Sequence, residues 1–178
     1  MNKFDAKYQL YNDKMIDAMI QLLQKKSFDA ITVTEICRTA GIQRSTFYAH
    51  YSDPYELLQD MANQVLKSFW AYWQSHAARE PEPKINQENL EIFFAYVQEH
   101  QEQARALFRE QSTVFWEPIL QWISEQLKTI SRDQEHVRYT AIFYLSGVVN
   151  VTNRWLYTGC KESVESLCDL IFSCLPSQ

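Results

Sequence analysis

TVTEICRTAGIQRSTFYAHYSD, residues 32–53, sets two short amphipathic segments on either side of one glycine, Gly41. Thr32 followed three positions on by Glu35 is a capping box, so a helix is expected to start at Val33. Val33, Ile36, Cys37 and Ala40 give it one apolar face at helical spacing. Gly41 accepts a positive φ and ends that helix, and Ile42 plugs the corner. A second short helix, Arg44 to His50, follows. Phe47 and Tyr51, four apart, turn inward; Arg44, Ser45, Thr46, Tyr48 and His50 are left outward. Two helices about a glycine turn, with an outward face of hydrogen-bonding side chains, read as a helix-turn-helix. The second is the right size for a major groove about 12 Å wide, and its short or planar donors suit base edges and phosphates. An αα corner with a solvated face is the competing reading. Outward Tyr48 beside a basic residue favours DNA, because its hydroxyl can reach a phosphate.

Around this stretch the chain reads as all helical. Only three glycines and five prolines punctuate 178 residues, too few for the turns of a many-stranded sheet. Tyr8, Tyr11, Met15, Met19, Leu22 and Leu23 mark one face of a first helix. Asp53, Pro54 and Glu56 supply N-cap, first helical position and capping-box partner for a long helix from Pro54 to His76. Pro81 and Pro83 end that helix, and Asn86 caps the next. The segment from Asp133 to Thr158 is apolar on more than one side, through Val137, Ala141, Tyr144, Leu145, Val148 and Val151 with Ile142, Val149, Trp155 and Leu156. Such a helix must be buried on two sides. A second subunit is the natural cover, with Gly147 allowing close approach and Gly159 ending the helix; a helix after Lys161 completes an isologous four-helix bundle.

The totals exclude several classes. Net charge is −5, and residues 1–60 carry seven Lys and Arg against eight Asp and Glu, so DNA binding must rest on placed contacts. The polar start, MNKFDAKYQL, has no signal-peptide core, and no apolar run is long enough to span a membrane. A cytoplasmic protein is expected. Cys37, Cys160, Cys168 and Cys174 form no CxxC pair and read as free thiols. No catalytic constellation, phosphate loop or metal spacing occurs, so neither an enzyme nor a cofactor or metal site is expected.

The stretch TVTEICRTAGIQRSTFYAHYSDPYELL also resembles the DNA-binding domain of TetR-family transcriptional regulators, over about residues 8–62. The matching features are the Thr-Val opening of the second helix, the Ala-Gly turn, the Thr-Phe-Tyr of the recognition helix, the aromatic four residues after Phe47 and the Glu-Leu-Leu of the fourth helix. The resemblance implies a dimeric all-α regulator. Residues 1–53 would be a helix-turn-helix domain reading half of a palindromic double-stranded DNA operator. Residues 54–178, joined through the long helix, would bind a ligand and dimerise. A repressor is expected. The alternative is a helical interaction protein of the same fold that binds a protein partner.

By position, Arg44 and Ser45 match base contacts, and Thr34 matches a contact on the second helix. Thr46, Tyr48 and His50 match phosphate contacts, and Thr32 lies where the second helix meets the DNA backbone. Gln43, where the family often has a small capping residue, joins this set. Pro54 stands where the family often has a phosphate-touching lysine. The family's effector pocket lies between the C-terminal helices. Trp73, Phe94, Phe115, Trp116 and Tyr144 are therefore its candidate walls, with Asn150 and Glu117 as polar partners for a small apolar or aromatic effector. The helix from Pro54, turning Leu66, Phe69 and Trp73 to that pocket, would carry its state to the recognition helix.

Overall fold

The computed structural model describes residues 3–77, 86–110, 117, 119–121, 124–125 and 133–173. Phe115, Trp116 and Cys174 lie outside them. Among the described residues there is no strand. The chain is built from α1 (Lys3–Leu23), a 3₁₀ turn (Phe28–Ala30), α2 (Val33–Ala40), α3 (Arg44–Tyr48), α4 (Pro54–His76), α5 (Gln87–Glu99), α6 (Gln101–Glu110), α7 (Gln134–Tyr157) and α8 (Val164–Ser173).

Local chemistry sets most boundaries. The Thr32–Glu35 capping box is complete. Gly41 ends α2 in the left-handed region at φ +67°. Asn86 caps α5 by accepting from the Asn89 amide at 2.8 Å. Asp133 caps α7 by accepting from the amides of Glu135 and His136. At the other end of α7 the Gly159 amide donates to Leu156 and the Cys160 amide to Trp155, a Schellman closure with Gly159 at φ +82°.

Two local expectations are corrected. Asp53 does cap α4, accepting from the Glu56 amide at 2.9 Å. The reciprocal half of the box, however, goes one residue further back: Glu56 accepts from the Ser52 amide at 2.7 Å and the Ser52 hydroxyl at 2.8 Å. The recognition helix also stops at Tyr48, not His50. The amides of both His50 and Tyr51 donate to the Phe47 carbonyl, tightening the chain into a turn that swings His50 inward.

One apolar core lies under α1, α2, α3 and the first turns of α4, through Met15, Met19, Leu23, Ile36, Phe47, Leu57 and Met61. It also takes in Ala106 and Leu107 of α6. A second core joins α5, α6, α7 and α8 through Phe94, Val97, Ala104, Phe108, Trp155, Leu156, Leu167 and Cys168. Helix α6 therefore belongs to both. It is fastened to α7 by Arg105, whose Nη2 donates to the Leu156 carbonyl at 3.1 Å, and by Asn153, whose Nδ2 donates to the Phe108 carbonyl at 3.2 Å.

Candidate nucleic-acid interface and effector region

The recognition helix α3 is held from below by Phe47, fully buried, and by Tyr51 after it. Arg44, Ser45 and Tyr48 are exposed on its outer side, and Thr46 is half-buried. Arg44 Nη2 donates to the Tyr48 hydroxyl at 3.2 Å, and the guanidinium carbon lies 5.8 Å from the Tyr48 ring centre. This i,i+4 pair points the one full positive charge of α3 along the helix face. Gln43 takes the N-cap position with no side-chain cap bond and is exposed, so its amide is not spent on the helix. Thr34 is exposed on α2.

Thr32 is exposed at the start of α2 in the expected cap, whereas His50 is placed differently from the sequence expectation. Glu35 Oε2 accepts from both the Thr32 amide, at 3.1 Å, and its hydroxyl, at 2.9 Å. Thr32 therefore spends its own donors within the cap, and the free amides near it belong to the next residues of α2. Glu35 is in turn clamped by Lys26 at 2.6 Å, and Lys26 also donates to the Ala30 carbonyl. The Lys26 hydrogen bond is the main cause holding the Glu35 carboxyl down, at about 2. The His50 ring is half-buried and stacks on Tyr8 of α1, with ring centres 3.9 Å apart and planes 17° off parallel. Its Nδ1 is buried without a hydrogen-bond partner, and burial lowers the imidazole pKa. His50 thus faces α1 rather than the outward side.

Sequence reasoning missed a polar cluster directly behind α3. Asn12 of α1 and Tyr51 are both buried and meet Asp60 of α4. Asp60 Oδ2 accepts from the Tyr51 hydroxyl at 2.7 Å, Asn12 Nδ2 at 3.1 Å and Gln64 Nε2 at 3.1 Å. The Tyr51 hydroxyl is also hydrogen-bonded to Asn12 Oδ1. Burial first, then the Asp60 carboxylate, push the Tyr51 ionisation up, so the hydroxyl keeps its proton. A signal was available: Asn12 falls on the helical stripe of Tyr8, Met15 and Met19, a polar residue on an otherwise apolar face.

The expected effector walls pack against different partners. Trp73 is buried, and its Nε1 donates to Asn89 Oδ1 at 2.6 Å. Phe94, fully buried, meets the Trp155 ring edge-on at 5.4 Å. Tyr144 is half-buried. Between the first two, Phe69 packs edge-on against Phe93 at 6.1 Å and Tyr96 at 5.4 Å, and Phe93 meets Phe108 at 6.1 Å. The aromatic layer thus joins α4, α5 and α6. Asn150 does not face it. Asn150 is exposed and bonds back to the Ser146 carbonyl at 2.7 Å, and Glu117 is exposed.

On its outer side α7 exposes Tyr139, Phe143, Ser146, Gly147, Asn150, Arg154 and Tyr157, successive positions on one face. Phe143 is 73% and Tyr157 83% exposed, and Leu170 of α8 is 61% exposed. No described helix is long and apolar enough to cross a membrane.

Comparison with known proteins agrees with this architecture. Residues 15–61 match the family described as bacterial regulatory proteins, tetR family, and residues 86–176 match the one described as a transcriptional regulator C-terminal region. An uncharacterized HTH-type transcriptional regulator of Haemophilus influenzae is 26% identical over 148 residues, 77% of this chain and 71% of that protein. The TetR transcriptional regulator of Streptococcus agalactiae shares the fold at a TM-score of 0.70 and 21% identity, covering 95% of each chain. FadR of Bacillus subtilis, solved with stearoyl-CoA, superposes at 0.62 and 12% identity, over 90% of this chain and 95% of that one. With the helix-turn-helix at one end and the matched helical region beyond it, the chain belongs to the TetR family: it is a transcriptional regulator with a helix-turn-helix DNA-binding domain, not an enzyme.

Proposed function

We propose that this regulator is a cytoplasmic homodimeric repressor. Residues 1–53 would read one half of a palindromic operator, and residues 54–178 would carry the effector and subunit contacts. The observation that carries the reading is the outer face of α3, where Arg44, Ser45 and Tyr48 are exposed while Phe47 anchors the helix from beneath. Arg44 supplies the bidentate base contact. Gln43, Ser45 and Thr34 stand beside it, and Tyr48, Thr46 and the α2 start at Thr32 meet phosphates. His50 sets the seat of the helix from within. With the first 60 residues near charge balance, affinity depends on these contacts rather than on bulk attraction.

Dimerisation is supported by the exposed aromatic stripe of α7, which needs a cover, and by Leu170 alongside it. A C₂ pairing through α7 and α8 covers both and sets two recognition helices for successive major grooves, about 34–36 Å apart. An apolar or aromatic effector fits the layer formed by α4, α5 and α6; the Bacillus subtilis FadR holds stearoyl-CoA, so a fold of this kind accommodates a long apolar ligand.

The test is a salt titration with the DNA upstream of the regulator's own gene, against a scrambled duplex. A preference for the upstream DNA that persists as salt rises supports operator reading. Equal affinity for both at every salt concentration refutes it. Derepression of the neighbouring genes on deletion would establish the repressor sense.

A further inference from the structure

We propose that the Tyr51 hydroxyl, held on Asp60 together with Asn12, is the positioning group that sets the angle at which α3 is presented to DNA. The proposal rests on the reading of α3 as the DNA-contacting helix. Tyr51 lies three residues after the last residue of α3, and its ring packs at 6.0 Å from that of Phe47, the buried anchor of the helix. Its position is therefore the position of α3.

Three elements meet at one oxygen. The donors to Asp60 Oδ2 come from α1 (Asn12), from the turn behind α3 (Tyr51) and from α4 itself (Gln64). Apolar packing around them, through Met15, Leu57 and Met61, is non-directional and tolerates small slips. Hydrogen bonds of 2.7–3.1 Å do not, because they weaken steeply with misalignment. A slide of α4 against α1 or α3 stretches the Asn12 and Tyr51 bonds together. The cluster therefore makes α1, α3 and the first turns of α4 one rigid body, with Tyr51 as the member nearest the reading face. It sits at the floor of an open groove of about 400 Å³ between α1 and α4, where water can replace a missing hydroxyl, so removing it loosens the seat without emptying the core.

The probe is a duplex selected by the wild-type full-length protein from a random pool, with a scrambled duplex as control. Tyr51→Phe keeps the ring and deletes the hydroxyl. Its affinity for the selected duplex should fall about tenfold, with binding to the scrambled duplex unchanged within about twofold. Asp60→Asn should reproduce the selective loss, which covers the case where Tyr51→Phe fails to fold. In the double variant with Arg44→Ala, Tyr51→Phe should add little, because the contact it positions is gone. If Arg44→Ala alone changes nothing while Tyr51→Phe remains selective, the assignment of Arg44 fails and the positioning role stands. Unchanged affinity for the selected duplex, or equal loss on both duplexes, in the folded variants overturns the proposal.

Discussion

Arg44 and Tyr48 form a pair before any DNA arrives, which bears on what each substitution should do. Arg44→Ala removes the only full charge on α3. It should cost about 1–3 kcal/mol on the selected operator and relax preference at one base position, while Tyr48→Phe weakens all sequences alike. Binding measured over a set of single-base operator variants checks both. His50 gives a different kind of prediction. Its burial against Tyr8 pushes the imidazole below its ordinary value of 6.5, so the folded chain binds fewer protons than the unfolded one just below that pH. The stability it contributes is complete above 6.5 and is lost progressively as pH falls below it. Urea unfolding midpoints compared at about pH 7.5 and about pH 5.5 should fall for the wild type and fall less for His50→Phe, which keeps the stack on Tyr8.

Among the elements, Gly41 is the sharpest test of local design. It sits at φ +67°, and apart from its own chain neighbours no heavy atom of the described residues lies within 4 Å of where a Cβ would stand. Gly41→Ala therefore meets no clash and should destabilise by about 1–2 kcal/mol through backbone conformation alone; thermal unfolding measures it. This class of feature was legible in the sequence. The Thr32–Glu35 box, the Gly41 stop, the Asp53–Pro54 start, the Asn86 cap and the Gly159 closure are each written within a few neighbouring residues. Illegible were features set by tertiary packing or by the path the chain takes between helices. Glu56 accepts from the amide and hydroxyl of Ser52 rather than closing the box on Asp53. His50 turns under α1 because α3 ends early. Asn150 faces away from the aromatic layer, since the rotation of a helix apolar on several sides is set by its neighbours. Asn12 was visible as a polar interruption, but its partners lie 39 and 48 residues away.

For the whole molecule, the exposed stripe of α7 makes assembly measurable with one substitution. Gly147 lies on the outer face, and a Cβ there has open space among the described residues, so Gly147→Leu points its side chain outward. It should strengthen the helix by up to about 1 kcal/mol while disrupting the proposed dimer. Light scattering at micromolar concentration would then report a folded monomer, with helical signal retained; an unchanged dimer would place the interface elsewhere. The two cores themselves are not insulated from each other. Ala104 and Phe108 of α6 belong to the one, Ala106 and Leu107 to the other, and Arg105 between them is tied to the backbone of α7. This short helix is a party wall. A push on it from the aromatic side would reach the room where Met19 and Phe47 sit through a neighbouring residue of the same helix, a second route beside the length of α4.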